Sequence, residues 1–338
     1  DGMSFITFGE ILMRLSTPNH QTFNQAQSFD INYGGAEMNV AIGLSGLGVK
    51  TSMISAVPDN DLGNQIIQNL KRYDVNTEHM SQKEGRLGLY YIESGYAQRA
   101  NRLIYDRQMS TFSQFYHRDD DIKSILKGHD WFHITGITAG LNQELLLFLK
   151  KAVKVAKELG LFVSCDLNFR AALWDFDTAR KEMSDILYDV DLVFGYEPIA
   201  LPDDKGHDQK DGLDRMADID VIRPYLIQIH EKYNVQYIAF VQRKIFNHKR
   251  NRLQGFLSTK DQLAKTEPLD VDILDRLGTG DAFSVGVIYG IMQKWNLEKI
   301  VEFGIYNMSY KHNIFGDFSY ESLENIYASI QSNRDISR

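Results

Sequence analysis

The stretch Leu274–Met292, LDRLGTGDAFSVGVIYGIM, joins a group of acidic and turn-forming residues to a long apolar run. Gly278 and Gly280 flank Thr279 directly before Asp281, and the residues after this aspartate are almost all apolar, which predicts a buried helix. The first N–H groups of a helix have no intrahelical partner, and the helix dipole adds positive potential at that end. Because glycines let a ligand approach those N–H groups, the stretch predicts an anion site.

Asp281 has two interpretations at this position. It could cap the helix, since aspartate is among the best N-capping residues. However, Asp275 and Asp281 stand with two glycines within seven residues, and in α/β folds ligands bind at the C-terminal edge of the sheet. Backbone N–H groups beside a carboxylate suit phosphoryl transfer. The amides stabilise charge on the transferred group, and the aspartate takes the proton of an attacking hydroxyl.

Short apolar strands alternate with helices along most of the chain. Strands are expected at SFITFGE, TSMISAV, DWFHITG, LFVSCDLNF, DLVFG and QYIAFVQ. Helices are expected at AEMNVAIGLSGLG, DLGNQIIQNLKRY, QELLLFLKKAVKVAKELG, DTARKEMSDILYDV and DVIRPYLIQIHEKY, and two more at Asp281–Lys294 and Leu297–Asn313. This alternation predicts βαβ units and therefore a doubly wound α/β core with a mostly parallel sheet.

Two segments interrupt the alternation. Residues 12–33 and 86–116 have alternating or aromatic-rich patterns without helical periodicity, and the second is expected to turn near Gly95–Asn101. Such patterns cannot bury both faces in a parallel sheet, so we expect a small antiparallel sheet formed by these two segments. The α/β core would then comprise residues 3–11, 34–85 and 117–338. The small sheet could be a lid, an edge extension or an oligomer surface.

Composition excludes several classes of function. The net charge of −8 argues against nucleic acid as the main partner. The sequence contains no run of 18 apolar residues, so no membrane span is predicted. The single cysteine, Cys165, excludes internal disulfides and thiolate-cluster metal sites and fits a reducing cytoplasm. The seven aspartates of residues 203–220 lack calcium-loop spacing, and the nine histidines lack zinc-site spacing.

Two common nucleotide-binding motifs are absent. GLSGLGVKT, Gly43–Thr51, nearly matches the P-loop, but Val49 separates the glycine from the lysine, and the segment lies between a helix and a strand in the wrong order. No G-x-G-x-x-G follows the first expected strand, which weakens the alternative of a Rossmann-type oxidoreductase.

DRLGTGDAFSVG resembles the C-terminal signature of the ribokinase/PfkB carbohydrate kinase family, D-x-x-G-A-G-D-x-F. YGGAEMNVAIGLSGLG, Tyr33–Gly48, resembles the N-terminal signature of the same family, and with the order of elements the resemblance spans nearly the whole chain. Within the family, GGAEMNVA, LIYDRQMS and CDLNFRAALW most resemble 2-keto-3-deoxygluconate kinases. The resemblance implies a ribokinase-like fold, ATP and Mg²⁺.

The resemblance also implies a role for each matching residue. Asp281 would be the general base on the primary hydroxyl of the sugar, and the amides of Gly278, Thr279 and Gly280 would form the anion hole. The residues that would hold the sugar are Gly34, Gly35, Asn39, Tyr90, Tyr105, Arg107, Arg170 and Asp317. The residues of the nucleotide and cation region would be Asp275, Asn168 and Glu197. Taken singly, the two tyrosines could be packing residues and the two arginines surface charges.

This chain departs from the family pattern at three places. Thr279 stands where alanine is usual, which matters little if only its N–H is used. Near VFGYEPIAL, Glu197 is present, but Tyr196 and Ile199 stand where the N-x-x-E element has asparagine and a second acid. The segment IAFVQRKIFNHKRN lacks the usual K-x-G-x-x-G nucleotide segment. The metal ligands are therefore left unassigned.

The resemblance therefore predicts a cytoplasmic, ATP-dependent kinase that converts 2-keto-3-deoxygluconate to its 6-phosphate. It implies a small sugar acid and ATP as partners, no nucleic acid, no membrane, and a homo-oligomer that could form through the small sheet. The alternatives within the family are a fructokinase, a ribokinase or another sugar-acid kinase. A catalytically inactive sugar-binding relative is a further alternative, against which the retained Asp281 argues.

Overall fold

A computed structural model describes residues 2–115 and 121–336, with side chains up to residue 331. Tyr116, which ends the second segment expected in the small sheet, lies outside the described residues. So do residues 117–120 and 337–338 of the expected core.

A large sheet of eleven strands forms the centre of the molecule. Across the sheet, its main path is β14 (Leu263–Lys265), β13 (Arg250–Ser258), β12 (Tyr237–Asn247), β11 (Leu192–Phe194), β10 (Phe162–Asp166), β9 (Trp131–Thr135), β1 (Ser4–Phe8), β4 (Lys50–Pro58) and β5 (Val75–Asn76). Two strands lie off this path: β15 (Leu269–Asp272), which pairs with β13, and β6 (Met80–Lys83), which pairs with β4.

Helices cover both faces of this sheet. They are α1 (Ala36–Gly46), α2 (Asp61–Arg72), α3 (Thr111–Phe115), α4 (Ile122–Leu126), α5 (Gly136–Leu141), α6 (Gln143–Glu158), α7 (Phe176–Leu187), α8 (Ile219–Tyr233), α9 (Thr279–Met292), α10 (Leu297–His312) and α11 (Leu323–Ile336). One apolar core lies between the sheet and α6, α7 and α8, and a second lies between the sheet and α1, α2, α9 and α10. The predicted doubly wound α/β class is confirmed.

The sheet is parallel from β12 to β5 and antiparallel beyond β12. The alternation of strands and helices predicted the parallel part, because each of its crossovers contains a helix. It did not predict β13, β14 and β15, which are joined to their neighbours by short turns without a helix. The basic stretch 242–252 lies in the hairpin of β12 and β13.

A second sheet has four strands, β3 (Asp30–Gly34), β2 (Leu12–Ser16), β7 (Leu89–Glu93) and β8 (Arg102–Asp106), in this order. Its two outer pairs are antiparallel and its central pair, β2 with β7, is parallel. Directly paired residues point to the same face of a sheet. One face therefore carries the row Asn32, Arg14, Tyr90, Tyr105, and the other carries the row Ile31, Leu15, Tyr91, Ile104.

Helix α9 begins two residues before the expected Asp281. Gly278 is its N-cap and has a left-handed backbone conformation, with φ of 74°, so Thr279 and Gly280 already belong to the first turn. Asp281 is thus the third residue of the helix and not its cap. The interpretation of Asp281 as an N-cap is wrong.

Candidate functional site

A small cavity of about 110 Å³ lies between the two sheets, beside the N-terminus of α9. Ten residues predicted from the sequence line it: Gly35, Asn39, Tyr90, Tyr105, Arg107, Asn168, Arg170, Gly278, Asp281 and Asp317. The row of the small sheet that carries Tyr90 and Tyr105 faces this cavity, and the two rings stack with their centroids 5.7 Å apart. The small sheet therefore forms one wall of the cavity and α9 another.

The glycine before α9 is required by close packing. A side chain at position 278 would place its Cβ 1.6 Å from the carbonyl oxygen of Asp317, and its φ of +74° disfavours other residues. The N–H of Thr279 points to the carbonyl of Arg276 at 3.4 Å, and the first bond of the helical ladder runs from Ala282 N to Gly278 O. The N–H groups of Gly280 and Asp281 precede that bond and have no acceptor one turn earlier, so they can bind an anion.

Among the described residues, the carboxylate of Asp281 has one side-chain hydrogen-bond partner. Asn39, on α1, donates a hydrogen bond of 2.9 Å from Nδ2 to Oδ2 of Asp281. Burial raises the pKa of Asp281 to about 7, the hydrogen bond from Asn39 opposes this shift, and the nearby Glu37 adds to it. A carboxylate with a pKa near neutral pH can accept a proton from a hydroxyl that lies in the cavity.

Two further acidic residues near Asp281 were not predicted. Burial and the charge of Asp281 raise the pKa of Asp166, at the end of β10, to about 8. Glu37 is fully buried and accepts hydrogen bonds of 2.7 Å from Thr135 and Thr138, and burial raises its pKa. The position of Asp166 at the carboxyl end of an apolar strand was the sequence signal that could have identified it.

A buried network joins the small sheet to two loops. One loop precedes α9 and contains Asp275, and the other follows α10 and contains Asp317. Arg14 on β2 lies 2.9 Å from a carboxylate oxygen of Asp275 and 2.9 Å from one of Asp317, and its side chain is only 2% exposed. Tyr90 donates a hydrogen bond to Asp317. Asp275 also accepts from the backbone N–H groups of Leu277 and Gly316. Asp275 lies behind the cavity wall and holds the loop that leads into α9.

Asp317 lines the cavity and lies directly against Gly34. Burial raises the pKa of Asp317, and the charge of Arg14 opposes this shift. A Cβ at Gly34 would lie 2.1 Å from the carboxylate of Asp317, and a Cβ at Gly35 would lie 2.4 Å from the carbonyl oxygen of Glu10. Both glycines are therefore needed for the close approach of the chain at the start of α1.

The two predicted arginines have different surroundings. Arg107 forms an ion pair of 2.8 Å with Glu10, whose side chain is 3% exposed. Glu10 also accepts from Ser110. Arg170 lines the cavity and is exposed, and within residues 2–115 and 121–336 its side chain makes no hydrogen bond or ion pair. Its planar guanidinium is free to bind an anionic ligand.

A second cavity of about 350 Å³ lies on the other side of Asn168. It is lined by the polar residues Asp166, Asn168, Glu197, Arg243, Gly280 and Ser284, and by the apolar residues Leu167, Phe194, Ala239, Phe240, Val241, Phe283 and Met308. Glu197 also pairs with Arg180 at 2.6 Å and with Lys210 at 3.1 Å. In the part of the chain that the structure describes, no three acidic, histidine or cysteine side chains form a metal-binding cluster.

Residues 4–215 match the sequence model of the pfkB family carbohydrate kinases, which is more than half of the chain. The chain belongs to the PfkB family of carbohydrate kinases. The predicted resemblance is confirmed, and this PfkB protein is an ATP-dependent sugar kinase and not a Rossmann-type oxidoreductase.

Several sugar-acid kinases are similar to this PfkB kinase. It is 26% identical over 317 residues to the 2-dehydro-3-deoxygalactonokinase of Haloferax volcanii. The matched region covers 93% of this chain and 92% of that protein. The structure of a 2-dehydro-3-deoxygluconokinase of Thermotoga maritima has a TM-score of 0.89 at 34% identity, covering 97% of this chain and 98% of that chain. A putative ribokinase II of E. coli in complex with ATP and Mg²⁺ shares the fold, with a TM-score of 0.79 at 19% identity, covering 98% and 99%.

The described residues of this PfkB kinase include no helix with the length and apolar character needed to span a bilayer.

The sequence analysis predicted most of the residues around the small cavity. It did not predict Arg14, Glu10, Glu37 or Asp166.

Proposed function

We propose that this kinase phosphorylates the 6-hydroxyl of 2-keto-3-deoxygluconate, also named 2-dehydro-3-deoxygluconate, to give the 6-phosphate. The observation that carries the proposal is the unpaired guanidinium of Arg170 in the same cavity as Asp281. A neutral sugar needs only hydroxyl partners, whereas a sugar acid brings a carboxylate whose charge must be matched when it leaves water. Arginine offers two parallel N–H donors that match a carboxylate.

Asp281 acts as the general base in this proposal. Its pKa of about 7 leaves it largely ionised just above neutral pH, and Asn39 orients the carboxylate. The proton moves from the primary hydroxyl of the sugar to Asp281 as that hydroxyl attacks the γ-phosphoryl group of ATP. The bond from the γ-phosphorus to the bridging oxygen breaks, and ADP leaves. The N–H groups at the start of α9, including that of Gly280, stabilise the negative charge on the transferred group.

The remaining residues of the cavity hold the sugar. Tyr90 and Tyr105 provide the wall of the small sheet, and Arg107 contributes charge while it stays paired with Glu10. Gly35 and Asp317 line the cavity, and Gly34 packs against Asp317. We propose that the small sheet is a lid that excludes water, which would otherwise hydrolyse ATP.

The second cavity fits ATP. Its apolar residues, such as Phe240 and Met308, suit an adenine ring, and its lining includes Gly280 at the N-terminus of α9. ATP supplies the phosphoryl group when bound. Asp166 and Asn168 are the oxygen-bearing residues that would face a magnesium ion bound with the phosphates, whereas Glu197 is already paired with Arg180 and Lys210. Mg²⁺ commonly keeps waters and phosphate oxygens as ligands, so few protein ligands are sufficient.

We also propose that the kinase forms a homo-oligomer through the small sheet. The row that faces away from the cavity is apolar, and Ile31 is 57% and Ile104 48% exposed. Apolar residues on exposed edge strands favour association. Ile104→Asp should convert the oligomer to a monomer in analytical ultracentrifugation, and a wild-type monomer would refute this part.

A substrate panel tests the proposed function. ADP release is measured with 2-keto-3-deoxygluconate, its C4 epimer 2-keto-3-deoxygalactonate, gluconate, fructose and ribose, and the product is identified by ³¹P NMR. We expect the highest kcat/KM with 2-keto-3-deoxygluconate. The C4 epimer is included because the similar H. volcanii enzyme is a 2-dehydro-3-deoxygalactonokinase. Preference for fructose or ribose would assign the protein to the alternative branches of the family.

A further inference from the structure

Arg243 lies on β12 with its guanidinium at the wall of the second cavity. Its Nη2 donates a hydrogen bond of 3.2 Å to Oγ1 of Thr279, in the first turn of α9. Across residues 2–115 and 121–336, Arg243 has no carboxylate within ion-pair distance. Burying a guanidinium without a counterion costs free energy. A bound anion at this position would reduce that cost.

The surroundings of Arg243 are positive. Burial lowers the pKa of Arg243, and the charge of Arg276 lowers it further. The N-terminus of α9 adds a partial positive charge beside it. In the described chain neither Arg243 nor Arg276 has an ion-pair partner. Although Asp166 and Glu197 also line the cavity, a bound anion would stabilise these positive groups.

The cavity beside Arg243 indicates which anion fits. Its lining includes Gly280, where no atom lies within 4 Å of the place a Cβ would occupy, so the backbone there is open to a ligand. Its other walls include Phe240, Phe283 and Met308. A ligand with an anionic end and a flat apolar end matches this arrangement.

Thr279 departs from the family pattern, and Arg243 lies in the segment that lacks the K-x-G-x-x-G pattern. The structure brings these two residues together. The hydroxyl of Thr279 donates to the carbonyl of Arg276 at 2.9 Å, which leaves its lone pairs for Arg243. Alanine, which is usual at position 279 in the resembling family, could not accept this bond. The threonine side chain thus orients the arginine toward the start of α9.

We propose that Arg243 binds the phosphate chain of ATP next to the anion site and that the hydroxyl of Thr279 positions it. This proposal rests on the ATP-dependent reaction but not on the identity of the sugar. In this proposal, Arg243 supplies the positive charge that binds phosphate, in a segment that lacks the K-x-G-x-x-G pattern. A planar guanidinium can bind two phosphate oxygens at once.

Nucleotide binding without sugar tests the proposal. Dissociation constants of ATP, ADP and adenosine are measured by calorimetry for the wild type and for Arg243→Ala, with Arg243→Gln as a second variant if the alanine variant does not fold. We expect binding of ATP to weaken by roughly 10- to 100-fold, as for the loss of a hydrogen bond to a charged group, and binding of adenosine to change less than twofold. Arg252→Ala is the matched control, because Arg252 lies on the same hairpin and pairs with Asp270 at the surface.

Substitutions at position 279 test the positioning role. Thr279→Ala should weaken ATP binding in the same direction as Arg243→Ala, and Thr279→Ser, which keeps the hydroxyl, should lie closer to the wild type. Thr279→Ala should add little in the background of Arg243→Ala, since the two residues act as a unit. Equal loss of adenosine and ATP, no effect of Arg243→Ala, or full additivity would overturn the proposal. A wild-type protein that does not bind ATP would instead refute the kinase function.

Discussion

Asn39 Nδ2 lies 2.9 Å from Oδ2 of Asp281, and this hydrogen bond joins α1 to the first turn of α9. It holds the carboxylate at the cavity wall, close to the N–H groups at the helix N-terminus. The bond favours the ionised form of Asp281, whereas burial favours the protonated form. The balance of the two sets the pH at which the carboxylate can take a proton.

Asp281→Asn should abolish most of the activity without unfolding the protein. The amide cannot accept the proton of the sugar hydroxyl, so we expect kcat to fall by ~10²–10⁴, as is typical for the loss of a general base. The matched control is Asp220→Asn, an exposed aspartate in the first turn of α8, which should leave kcat unchanged. Near wild-type turnover of Asp281→Asn, with circular dichroism unchanged, would remove Asp281 from the mechanism.

The pH dependence of kcat/KM should reflect the pKa of Asp281. Since the base must be ionised, activity should fall as the pH drops below about 7. Asn39→Ala removes a hydrogen bond to the charged form, which is worth ~1.5–3 kcal/mol, so the acid limb should move up by roughly one to two pH units. Initial rates measured from pH 5 to 9 test this. An acid limb that does not move in Asn39→Ala would show that another group titrates.

The same carboxylate should reduce stability at high pH. The folded pKa of Asp281 is about 7, above the ordinary value of 3.8, so the folded state binds an extra proton between these values. Stability contributed by this group is therefore present at low pH and is lost as the pH rises through about 7. Asp281→Asn should raise the Tm at pH 8 and have little effect near pH 4. A Tm difference that is the same at both pH values would contradict this account.

Arg14→Ala should strongly destabilise the fold. The substitution leaves Asp275 and Asp317 buried without their shared cation, which costs ~3–5 kcal/mol for a buried pair. The control is Arg86→Ala, whose ion pair with Asp106 is exposed and should contribute only ~0–1 kcal/mol. Urea unfolding of both variants measures the difference. Equal free energies of unfolding would mean that the buried network adds no more than a surface pair.

The sequence was sufficient for features that depend on local pattern. The alternation of apolar strands and helices predicted the parallel sheet, because each strand and each helix shows its own periodicity. The glycines around Thr279 predicted an open helix start, and at Gly280 no atom lies within 4 Å of the place a Cβ would occupy. Even so, the helix begins at Thr279 and not at Asp281, because Gly278 adopts the left-handed conformation that caps it.

Features that depend on distant contacts could not be predicted in this way. Arg14 bonds to residues 261 and 303 positions away, and nothing in the sequence around it distinguishes it from a surface arginine. The partner of Arg107 is similarly remote, since Glu10 lies 97 residues away. The pairing of Arg243 with Thr279 required the strand β12 to be placed beside α9. Tertiary packing, which local periodicity does not encode, decides all three.

Arg170→Ala should change which sugar the kinase prefers. The side chain of Arg170 has no hydrogen-bond or ion-pair partner in the described chain, but its charge lowers the pKa of the buried Asp281 and Asp166. Its removal should therefore slow the reaction of every sugar somewhat, and the additional loss for the acid reports the contact with the ligand. Losing one charged partner of a buried pair costs roughly 2–5 kcal/mol, so kcat/KM for 2-keto-3-deoxygluconate should fall by more than tenfold. The value for fructose should change much less, because a neutral sugar has no carboxylate to match.

Arg107→Ala provides the contrast to this substitution. It leaves Glu10, whose side chain is 3% exposed, without its cation, so it should lower stability and reduce the rates with both sugars. The informative quantity is the ratio of kcat/KM for the acid to that for fructose, measured in wild type and in both variants. That ratio should collapse only in Arg170→Ala. Equal losses for both sugars in Arg170→Ala would remove Arg170 as the carboxylate partner and favour a neutral hexose as the substrate.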